Sequence, residues 1–368
     1  MMSSPKATAR FETADGVRRY VAARLPNFAP TGTPRRLPGG NLNIVWRVPG
    51  TNRSLIAKYA PPYIAADPDT PLDPSRLRIE ARCLDALSPG GSLADVTTPT
   101  VRAPRLVDVN EEIPVVIMED VGEVPSLDRW LRAAAPRVRA EMAATQGRWL
   151  GRFLGRLHAT TCTDDRYAEA FDNRPMQETR LAVQYRGVAD MLRTGGVDDA
   201  ATLGGRAESL GEELLEPPGC CLTMGDLWPP SVLVVGDGLR LIDWELAHYG
   251  RPLQDVAHWL AHLWMQQHRA PSENAAEAVA AHRDAFLTAY RDALAGTEGE
   301  LWTNAERRDA AVHFGAEILV RAVGPFQNGS LYAGLAPSHP VVRQAVTIAA
   351  EHLRSPHAPY TFFGGLGE

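Results

Sequence analysis

Apolar residues follow two different periodicities along the chain. Residues 13–25 repeat apolar positions three and four residues apart, which predicts a helix that Thr13 can cap. A glycine turn at 39–41 separates two strand-like segments within 35–48. Further strand patterns lie at 54–59, 104–109 and 114–118, a second helical pattern lies at 75–87, and the proline-rich residues 61–75 are expected to form a loop. The first third therefore predicts five strands and two helices.

From residue 121 onward, long helical patterns replace the strands. They lie at roughly 126–135, 136–160, 177–193, 252–268, 273–295, 304–323 and 338–354. A β-hairpin pattern over 222–243 interrupts them, with a Gly-Asp-Gly turn at 236–238. We expect an α+β protein with two parts: residues 1–120 with the five strands, and residues 121–368, which are mostly helical.

Composition and charge narrow the class of function. Of 368 residues, 45% are hydrophobic and 22% charged, as in ordinary globular proteins. A formal net charge of −6 provides no broad basic field, so nucleic acid is not the expected partner. No run of 18 apolar residues and no apolar leader is present, and the four cysteines form no CxxC pair. We expect a cytoplasmic protein with free thiols and no membrane partner.

An isolated acidic residue and a nearby polar residue form the first candidate site. Asp226 follows a glycine, and Ser231 lies five residues later. In phosphoryl transfer a carboxylate orients the acceptor hydroxyl, and a neutral oxygen a few residues later can help to hold Mg²⁺. Kinase catalytic loops have this spacing, usually with Asn at the second position. Taken alone, Asp226 would fit a surface turn better.

A second acidic pair follows the hairpin. Asp243 and Glu245 lie two apart in an extended segment and would point to the same side. Carboxylate oxygens are hard ligands that suit Mg²⁺. The alternative interpretation is that the two carboxylates simply lie on a solvent-exposed face of the strand. The hairpin would return Asp243 to the neighbourhood of Asp226, and this joint arrangement favours a phosphate and metal site.

The first part of the chain supplies candidate nucleotide contacts. Lys58 lies in the third strand and can pair with Glu80 on the following helix, as lysine and glutamate pair in kinases. The expected phosphate-facing loop comprises Gly39, Gly40, Asn41 and Asn43. His158 is expected to be structural, on a helix beneath the site, and no zinc-binding histidine spacing is present.

Several segments resemble the aminoglycoside phosphotransferase/choline kinase superfamily, and within it the 5-methylthioribose kinases. They include GGNLNIVWRV, LIAKYAPPYI, RLRIEA, VIMEDV, MGDLWPPSVLV and LIDWELAHYG, between about residues 35 and 325. The resemblance implies a bilobal protein-kinase-like fold. Its small N-lobe would hold a five-stranded antiparallel sheet, and its larger C-lobe would be mostly helical. Nucleotide would bind between the lobes.

The resemblance also implies roles for single residues. Asp226 would be the catalytic base, and Asp255 would anchor its loop. The metal ligands would be Ser231, Asp243 and Glu245; the nucleotide contacts would include Lys58, Glu80 and the backbone of Glu119 and Val121; and the acceptor contacts would be Trp228, Glu245, His248, Tyr249 and Arg321. Met224, Trp228 and Val320 depart from the family pattern, mostly on the acceptor side.

We therefore predict a kinase that transfers the γ-phosphoryl of ATP or GTP, with Mg²⁺, to a hydroxyl of a sugar, or of a sugar-containing metabolite or antibiotic. A 5-methylthioribose kinase proper is one alternative. A nucleotide-binding pseudokinase is another, motivated by Met224 and Ser231. A protein kinase is disfavoured because no long activation loop follows residues 243–245. A homodimer is left open.

Overall fold

The structure is a computed structural model that describes residues 10–38, 42–133, 138–216, 219–236 and 238–356. The chain divides into two compact units. The N-terminal unit comprises the residues up to Thr97, Arg102–Val124 and Arg240–Leu246, and the C-terminal unit comprises Thr98–Val101, Pro125–Leu239 and the residues from Ala247 onward. The short segment Arg240–Leu246 therefore joins the N-terminal unit, although it lies far along the sequence.

A five-stranded antiparallel sheet forms the N-terminal unit, as predicted. The strands are β1 (Arg35–Arg36), β2 (Ile44–Pro49), β3 (Ser54–Tyr59), β7 (Leu106–Asn110) and β8 (Val115–Glu119), and the helices are α1 (Ala14–Arg24) and α2 (Arg76–Ala86). The strand order in the sheet is β1–β2–β3–β8–β7. Thr13 caps α1 as expected, since its Oγ1 accepts a hydrogen bond from the Gly16 N–H at 3.2 Å.

Apolar side chains from α1 and the central strands form one buried core. Val17 and Val21 of α1 pack with Val48, Leu55 and Ile117 of the sheet, all fully buried. Burial of such side chains stabilises a fold by about 1.5–3 kcal/mol each. The alternation seen in β2, where every second residue is buried, places the remaining side chains outside this core.

The expected loop over 61–75 contains a small hairpin. Strands β4 (Tyr63–Ile64) and β5 (Asp67–Pro71) pair with each other and with no strand of the large sheet. All five residues of β5 are exposed. Proline cannot donate to a ladder and is tolerated at an edge, so the prolines at 68 and 71 do not prevent this short exposed pairing.

Helices dominate the C-terminal unit. They are α3 (Leu127–Arg132), α4 (Val138–Thr161), α5 (Asp165–Ala170), α6 (Arg174–Arg180), α7 (Val188–Thr194), α8 (Ala200–Glu213), α9 (Pro252–His268), α10 (Glu273–Ala293), α11 (Glu298–Leu301), α12 (Asn304–Ala322) and α13 (Pro340–Arg354). The short strands are β6 (Val101–Arg102), β9 (Cys221–Thr223), β10 (Val232–Val235), β11 (Gly238–Leu241) and β12 (His248–Gly250). In the part of the chain that is described, no helix is long and apolar enough to cross a membrane.

The pattern predicted as one helix over 177–193 is divided. A π-helical turn, Leu181–Tyr185, separates α6 from α7, and the Arg186 N–H donates to the Leu181 carbonyl five residues back, at 3.0 Å. Helix α8 was not predicted from the sequence. Its three glycines, at 204, 205 and 211, lower its helix propensity, although Leu203, Ala207 and Leu210 are buried on one face.

Candidate active site

Lys58 lies at the centre of a buried cluster of carboxylates in the N-terminal unit. Its Nζ is 2.8 Å from Glu80 Oε2, 2.8 Å from Asp243 Oδ1 and 3.3 Å from Glu245 Oε1. The predicted pair of Lys58 and Glu80 is therefore present. Strand β3 supplies the lysine, α2 supplies Glu80, and the extended segment after β11 supplies the other two carboxylates.

Burial and charge shift the pKa values of this cluster. Burial lowers the pKa of Lys58, but the three carboxylates more than offset this effect and raise that pKa well above its usual value. Burial raises the pKa of Glu80 to about 7, because Glu245 and Asp243 add to the desolvation and outweigh the attraction of Lys58. One lysine therefore faces more negative charge than it can neutralise.

A second buried cation, Arg76, holds Glu245 in place. Its Nε is 2.8 Å from Glu245 Oε2, and the Asn43 amide donates to Glu245 Oε1 at 2.6 Å. The other Arg76 nitrogens donate to the carbonyls of Asp73, Leu42 and Pro61 and to Asn43 Oδ1. Both oxygens of Glu245 are thus engaged by protein donors, and the side chain is only 4% exposed.

Asp243 is placed differently from Glu245. Its side chain is 45% exposed, although Lys58 contacts one of its oxygens. Its φ is +66°, in the left-handed region that residues other than glycine rarely adopt. Such backbone conformations persist where the surroundings impose them, often at functional sites. Of the two carboxylates predicted to bind metal, Asp243 is the one whose oxygens face solvent.

The segment predicted to contact the purine is held by side chains at its start. The Glu119 carboxylate accepts hydrogen bonds from both terminal nitrogens of Arg102, at 2.6 and 2.7 Å. Asp120 accepts from Ser54 Oγ at 2.5 Å and from Arg47 and the Gly122 N–H at 2.9 Å. Burial raises the pKa of Asp120, but these hydrogen bonds outweigh it and lower that pKa overall. The adjacent Val121, predicted to offer its backbone, is half-buried.

Of the predicted phosphate-facing loop, Gly39, Gly40 and Asn41 lie outside the described residues. Asn43 is described and buried, and its contacts are those with Glu245 and Arg76 given above. Its side chain therefore supports the carboxylate cluster.

In the C-terminal unit, the loop that carries Asp226 is anchored by hydrogen bonds to a buried carboxylate. Asp255, fully buried on α9, accepts hydrogen bonds from the backbone N–H groups of Met224 at 2.6 Å and Gly225 at 2.9 Å. Gly225 has a φ of +78°, which suits glycine. His158 is fully buried, 3.4 Å from Asp255 and 2.9 Å from the Tyr290 hydroxyl. Asp255 therefore contacts the backbone of the loop that carries Asp226, and both Asp255 and His158 are buried, as expected.

Asp226 itself contacts a buried arginine. Arg180 Nη2 lies 3.0 Å from Asp226 Oδ1; the arginine side chain is 8% exposed and that of the aspartate 26%. The same guanidinium donates through Nη1 to Gln184 Oε1 at 2.7 Å. The candidate base is therefore held at one oxygen and partly open to solvent.

Trp228 and Arg321, both predicted to contact the acceptor, lie against each other. The Arg321 guanidinium carbon is 4.7 Å from the centroid of the Trp228 ring and 5.2 Å from that of Phe326. Arg321 Nε donates to Glu317 Oε1 at 2.9 Å, and His262 Nε2 contacts the same oxygen at 2.9 Å. Burial raises the pKa of Glu317, but Arg321 and His262 outweigh it and hold that pKa well below its usual value. Glu317 is therefore ionised.

The remaining predicted residues are engaged elsewhere in the C-terminal unit. The Ser231 hydroxyl is buried and donates to the Trp228 carbonyl at 2.8 Å. His248 is buried, 3.5 Å from Thr223 Oγ1 across the pair of strands β9 and β12. The Tyr249 hydroxyl accepts from the Asp164 N–H at 3.0 Å and donates towards the carbonyls of Thr161 and Cys220.

Sequence reasoning missed Arg76, Arg180, Gln184 and Glu317 as parts of these clusters. Arg76 lies in the segment RLRIEA, which carried the resemblance, and an arginine four residues before a candidate glutamate was a usable signal. Arg180 and Glu317 lie in helices without a readable motif, and only the packing of α6, α9 and α12 brings their side chains together.

Comparison with known proteins identifies the family. The chain is 27% identical over 354 residues to 4-hydroxytryptamine kinase from Psilocybe cyanescens, which covers 87% of this chain and 96% of that one. Methylthioribose kinase from Exiguobacterium sibiricum is 25% identical over 279 residues, covering 69% of this chain and 66% of that one. The solved choline kinase of Cryptosporidium parvum superposes with a TM-score of 0.53 at 11% identity, over 93% and 95% of the two chains. The model of the phosphotransferase enzyme family, APH, matches residues 33–299, and the chain belongs to that family.

Proposed function

We propose that this protein transfers the terminal phosphoryl group of ATP or GTP to a hydroxyl of a small molecule. The observation that carries the proposal is the cluster in which buried Lys58 contacts buried Glu80 and Glu245 and the partly exposed Asp243. Because a lysine held by several carboxylates can remain charged when buried, it can meet nucleotide phosphates without desolvation at the time of binding. Membership of a phosphotransferase family supports the same reaction.

Mg²⁺ fits the charges of this cluster. Lys58 and Arg76 supply two positive charges against the carboxylates of Glu80, Asp243 and Glu245, and the exposed oxygens belong to Asp243. Mg²⁺ is usually held by one or two protein carboxylates together with phosphate oxygens and water. We propose Asp243 as the ligand. Glu245, the second ligand that the sequence suggested, could bind the ion only if one of its oxygens gave up its present contact with Asn43 or Arg76. When bound, the ion would neutralise charge on the phosphates.

Asp226 is proposed as the group that receives the acceptor proton. The acceptor oxygen forms a bond to the γ-phosphorus, and the bond from that phosphorus to the bridging oxygen breaks. The electron pair of the broken bond leaves with the nucleoside diphosphate, and the acceptor proton passes to the carboxylate. Loop anchoring by Asp255 keeps Asp226 in place while this happens.

For the acceptor, a hydroxylated aromatic compound is the first candidate. The relative that is similar over 96% of its own length is named for 4-hydroxytryptamine. The guanidinium of Arg321 lies over the rings of half-buried Trp228 and of Phe326, which is 42% exposed, and an aromatic acceptor could pack against this group. A sugar hydroxyl is the second candidate. The ion pair of Arg321 and Glu317 and the similarity to methylthioribose kinase favour it.

An acceptor screen tests the proposal. The purified chain is incubated with Mg²⁺, ATP or GTP, and 4-hydroxytryptamine, 5-methylthioribose, choline or hygromycin B, and release of nucleoside diphosphate is followed. Acceptor-dependent release with at least one compound is expected. If the chain binds nucleotide but turns over none of these compounds, the nucleotide-binding pseudokinase considered in the sequence analysis would be favoured.

Asp226→Ala is the matched variant for this screen. Loss of a general base and hydroxyl-orienting group should lower kcat by about 10²–10⁴-fold and leave nucleotide affinity unchanged. Asp284→Ala provides a control, because that aspartate is 63% exposed and pairs with Arg283 on the same helix. Turnover of Asp226→Ala within threefold of the original chain would contradict the assignment.

A further inference from the structure

A buried relay of side chains leads from Asp226 into the helical core of the C-terminal unit. Arg180 contacts Asp226, Gln184 contacts Arg180, and Glu317 contacts Gln184 at 2.9 Å. His258 Nε2 lies 3.3 Å from the same Gln184 amide nitrogen. Gln184, Glu317 and His258 are 1–2% exposed, so the contacts among these three residues are made out of water.

The orientation of each group in the relay is determined by its neighbours. Glu317 accepts from the Gln184 amide nitrogen, so the amide oxygen faces Arg180 and accepts from it. The planar guanidinium is then held at two of its nitrogens, one by Gln184 and one by Asp226. A guanidinium fixed in this way restricts the position of the carboxylate that it contacts.

Asp226 keeps one oxygen for chemistry. Oδ1 is bound by Arg180, whereas within the described part of the C-terminal unit no hydrogen bond or ion pair is formed with Oδ2. A carboxylate held at one oxygen cannot rotate freely, and its second oxygen is presented in one direction. This is the arrangement that a hydroxyl-orienting group requires, because misplacement by about 1 Å can cost 10²-fold in rate.

The start of the relay lies beside an irregular helical turn. Gln184 belongs to the π-helical turn Leu181–Tyr185, and Arg180 immediately precedes it. Such turns are rare and often occur at functional sites. Two further contacts hold this turn: the Tyr185 hydroxyl lies 2.6 Å from His313 Nδ1, and helix α8 approaches the turn closely at Gly211.

We propose that Arg180 is a positioning residue for the phosphoryl transfer. It holds Asp226 so that Oδ2 faces the acceptor hydroxyl, and Gln184, fixed by Glu317, holds Arg180. This role rests on the proposed function of Asp226, because Arg180 would act on the reaction only by positioning Asp226.

Steady-state kinetics with the acceptor found in the screen test this role. Arg180→Gln is expected to lower kcat by about 10²-fold while the KM for ATP stays within twofold. Arg180→Lys retains the positive charge but lacks the planar guanidinium. Its kcat should therefore lie between that of the original chain and that of Arg180→Gln, within about tenfold of the original chain. Gln184→Leu keeps Arg180 and removes its support, and a five- to twentyfold loss of kcat is expected.

Arg174→Gln is the matched control. This arginine lies on the same helix, is 55% exposed and pairs with Glu178, so its loss removes the same charge without touching Asp226. Its kcat should match that of the original chain. Melting temperatures and ATP affinity of all variants separate misfolding from misplacement.

Each outcome decides between the two proposals. Turnover in the original chain, with Arg180→Gln within threefold of it, overturns the positioning role and leaves the proposed function standing. A second outcome has the same meaning. If Arg180→Gln loses kcat together with ATP binding or with much of its melting temperature, while Arg180→Lys and Gln184→Leu retain full kcat, the positioning role is overturned and the proposed function stands. Absence of turnover in the original chain with every acceptor overturns the proposed function and the positioning role with it.

Discussion

At the scale of single residues, Arg76 organises the surroundings of the candidate phosphate site. Its guanidinium is fully buried and contacts Glu245, Asn43 and the carbonyls of Asp73, Leu42 and Pro61. It thereby joins the segment before β2, the loop after β3 and the acidic segment after β11. A buried charge of this kind is costly to desolvate and is tolerated because every nitrogen has an acceptor.

Arg76→Met should therefore destabilise the protein strongly. It leaves the Glu245 carboxylate buried without one of its cations, and breaking a buried ion pair in this way costs about 3–5 kcal/mol. Urea denaturation followed by circular dichroism measures the loss. Arg78→Met is the control on the same helix, since Arg78 is 45% exposed and should change the free energy of unfolding by less than about 0.5 kcal/mol. Equal stability of the two variants would contradict this account.

At the scale of elements, helix α8 packs closely against the π-helical turn. A Cβ added at Gly211 on α8 would lie 2.6 Å from Tyr185 Cβ and 2.8 Å from Leu181 Cδ1, both in that turn. Similarly, Gly147, Gly151 and Gly155 of α4 bring its backbone against the carbonyl oxygens of α10. Glycine is required at these positions because the neighbouring backbone or side chain occupies the space of a Cβ.

Gly211→Ala tests this packing. Overpacking against Leu181 and Tyr185 should cost about 1–3 kcal/mol, and displacement of the turn should also lower kcat through Arg180. Gly205→Ala on the same helix is the control. It is exposed with nothing within 4 Å of an added Cβ, so it should stabilise the protein by up to about 1 kcal/mol through helix propensity. Thermal unfolding measures the change in stability of both variants, and steady-state turnover measures the change in kcat. A Gly211→Ala variant that is more stable and fully active would contradict both expectations.

At the scale of the whole molecule, buried neutral histidines make stability depend on pH. Burial lowers the pKa of His282 to about 3 and that of His313 to about 3. Their unfolded-state pKa is near 6.5, so between these values the unfolded chain binds more protons than the folded chain. The stabilisation due to these neutral histidines is therefore complete above pH 6.5 and is lost as the pH falls towards 3.

Between pH 6.5 and pH 5, each of these histidines should cost about 1.5–2 kcal/mol of the free energy of unfolding. His282→Phe removes one titrating group next to Trp259 and should reduce the pH dependence by that amount. Thr288→Val changes an exposed residue of the same helix that does not titrate, so it should leave the pH dependence as it was. Urea denaturation at pH 5, 5.5, 6 and 6.5 measures the slopes, and equal slopes for all three chains would show that His282 does not titrate in this way.

The sequence by itself predicted the five-stranded antiparallel sheet, the mostly helical C-terminal part and the family. Alternating apolar positions predicted the five strands, and helical spacing predicted most of the long helices, because both patterns record which side of an element is buried. Segments such as RLRIEA and LIDWELA indicated the family through their resemblance. The position of Lys58 in the strand before the helix that carries Glu80 indicated their pairing.

The tertiary structure alone decided which groups contact the candidate residues. Asn43 and Arg76 meet Glu245 across about 170 to 200 positions of the chain, and Arg180 meets Asp226 across 46. No local pattern records such pairings, because they depend on how helices and loops pack after each has formed. For the same reason the difference between exposed Asp243 and enclosed Glu245, two residues apart and predicted to act alike, appeared only in the folded chain.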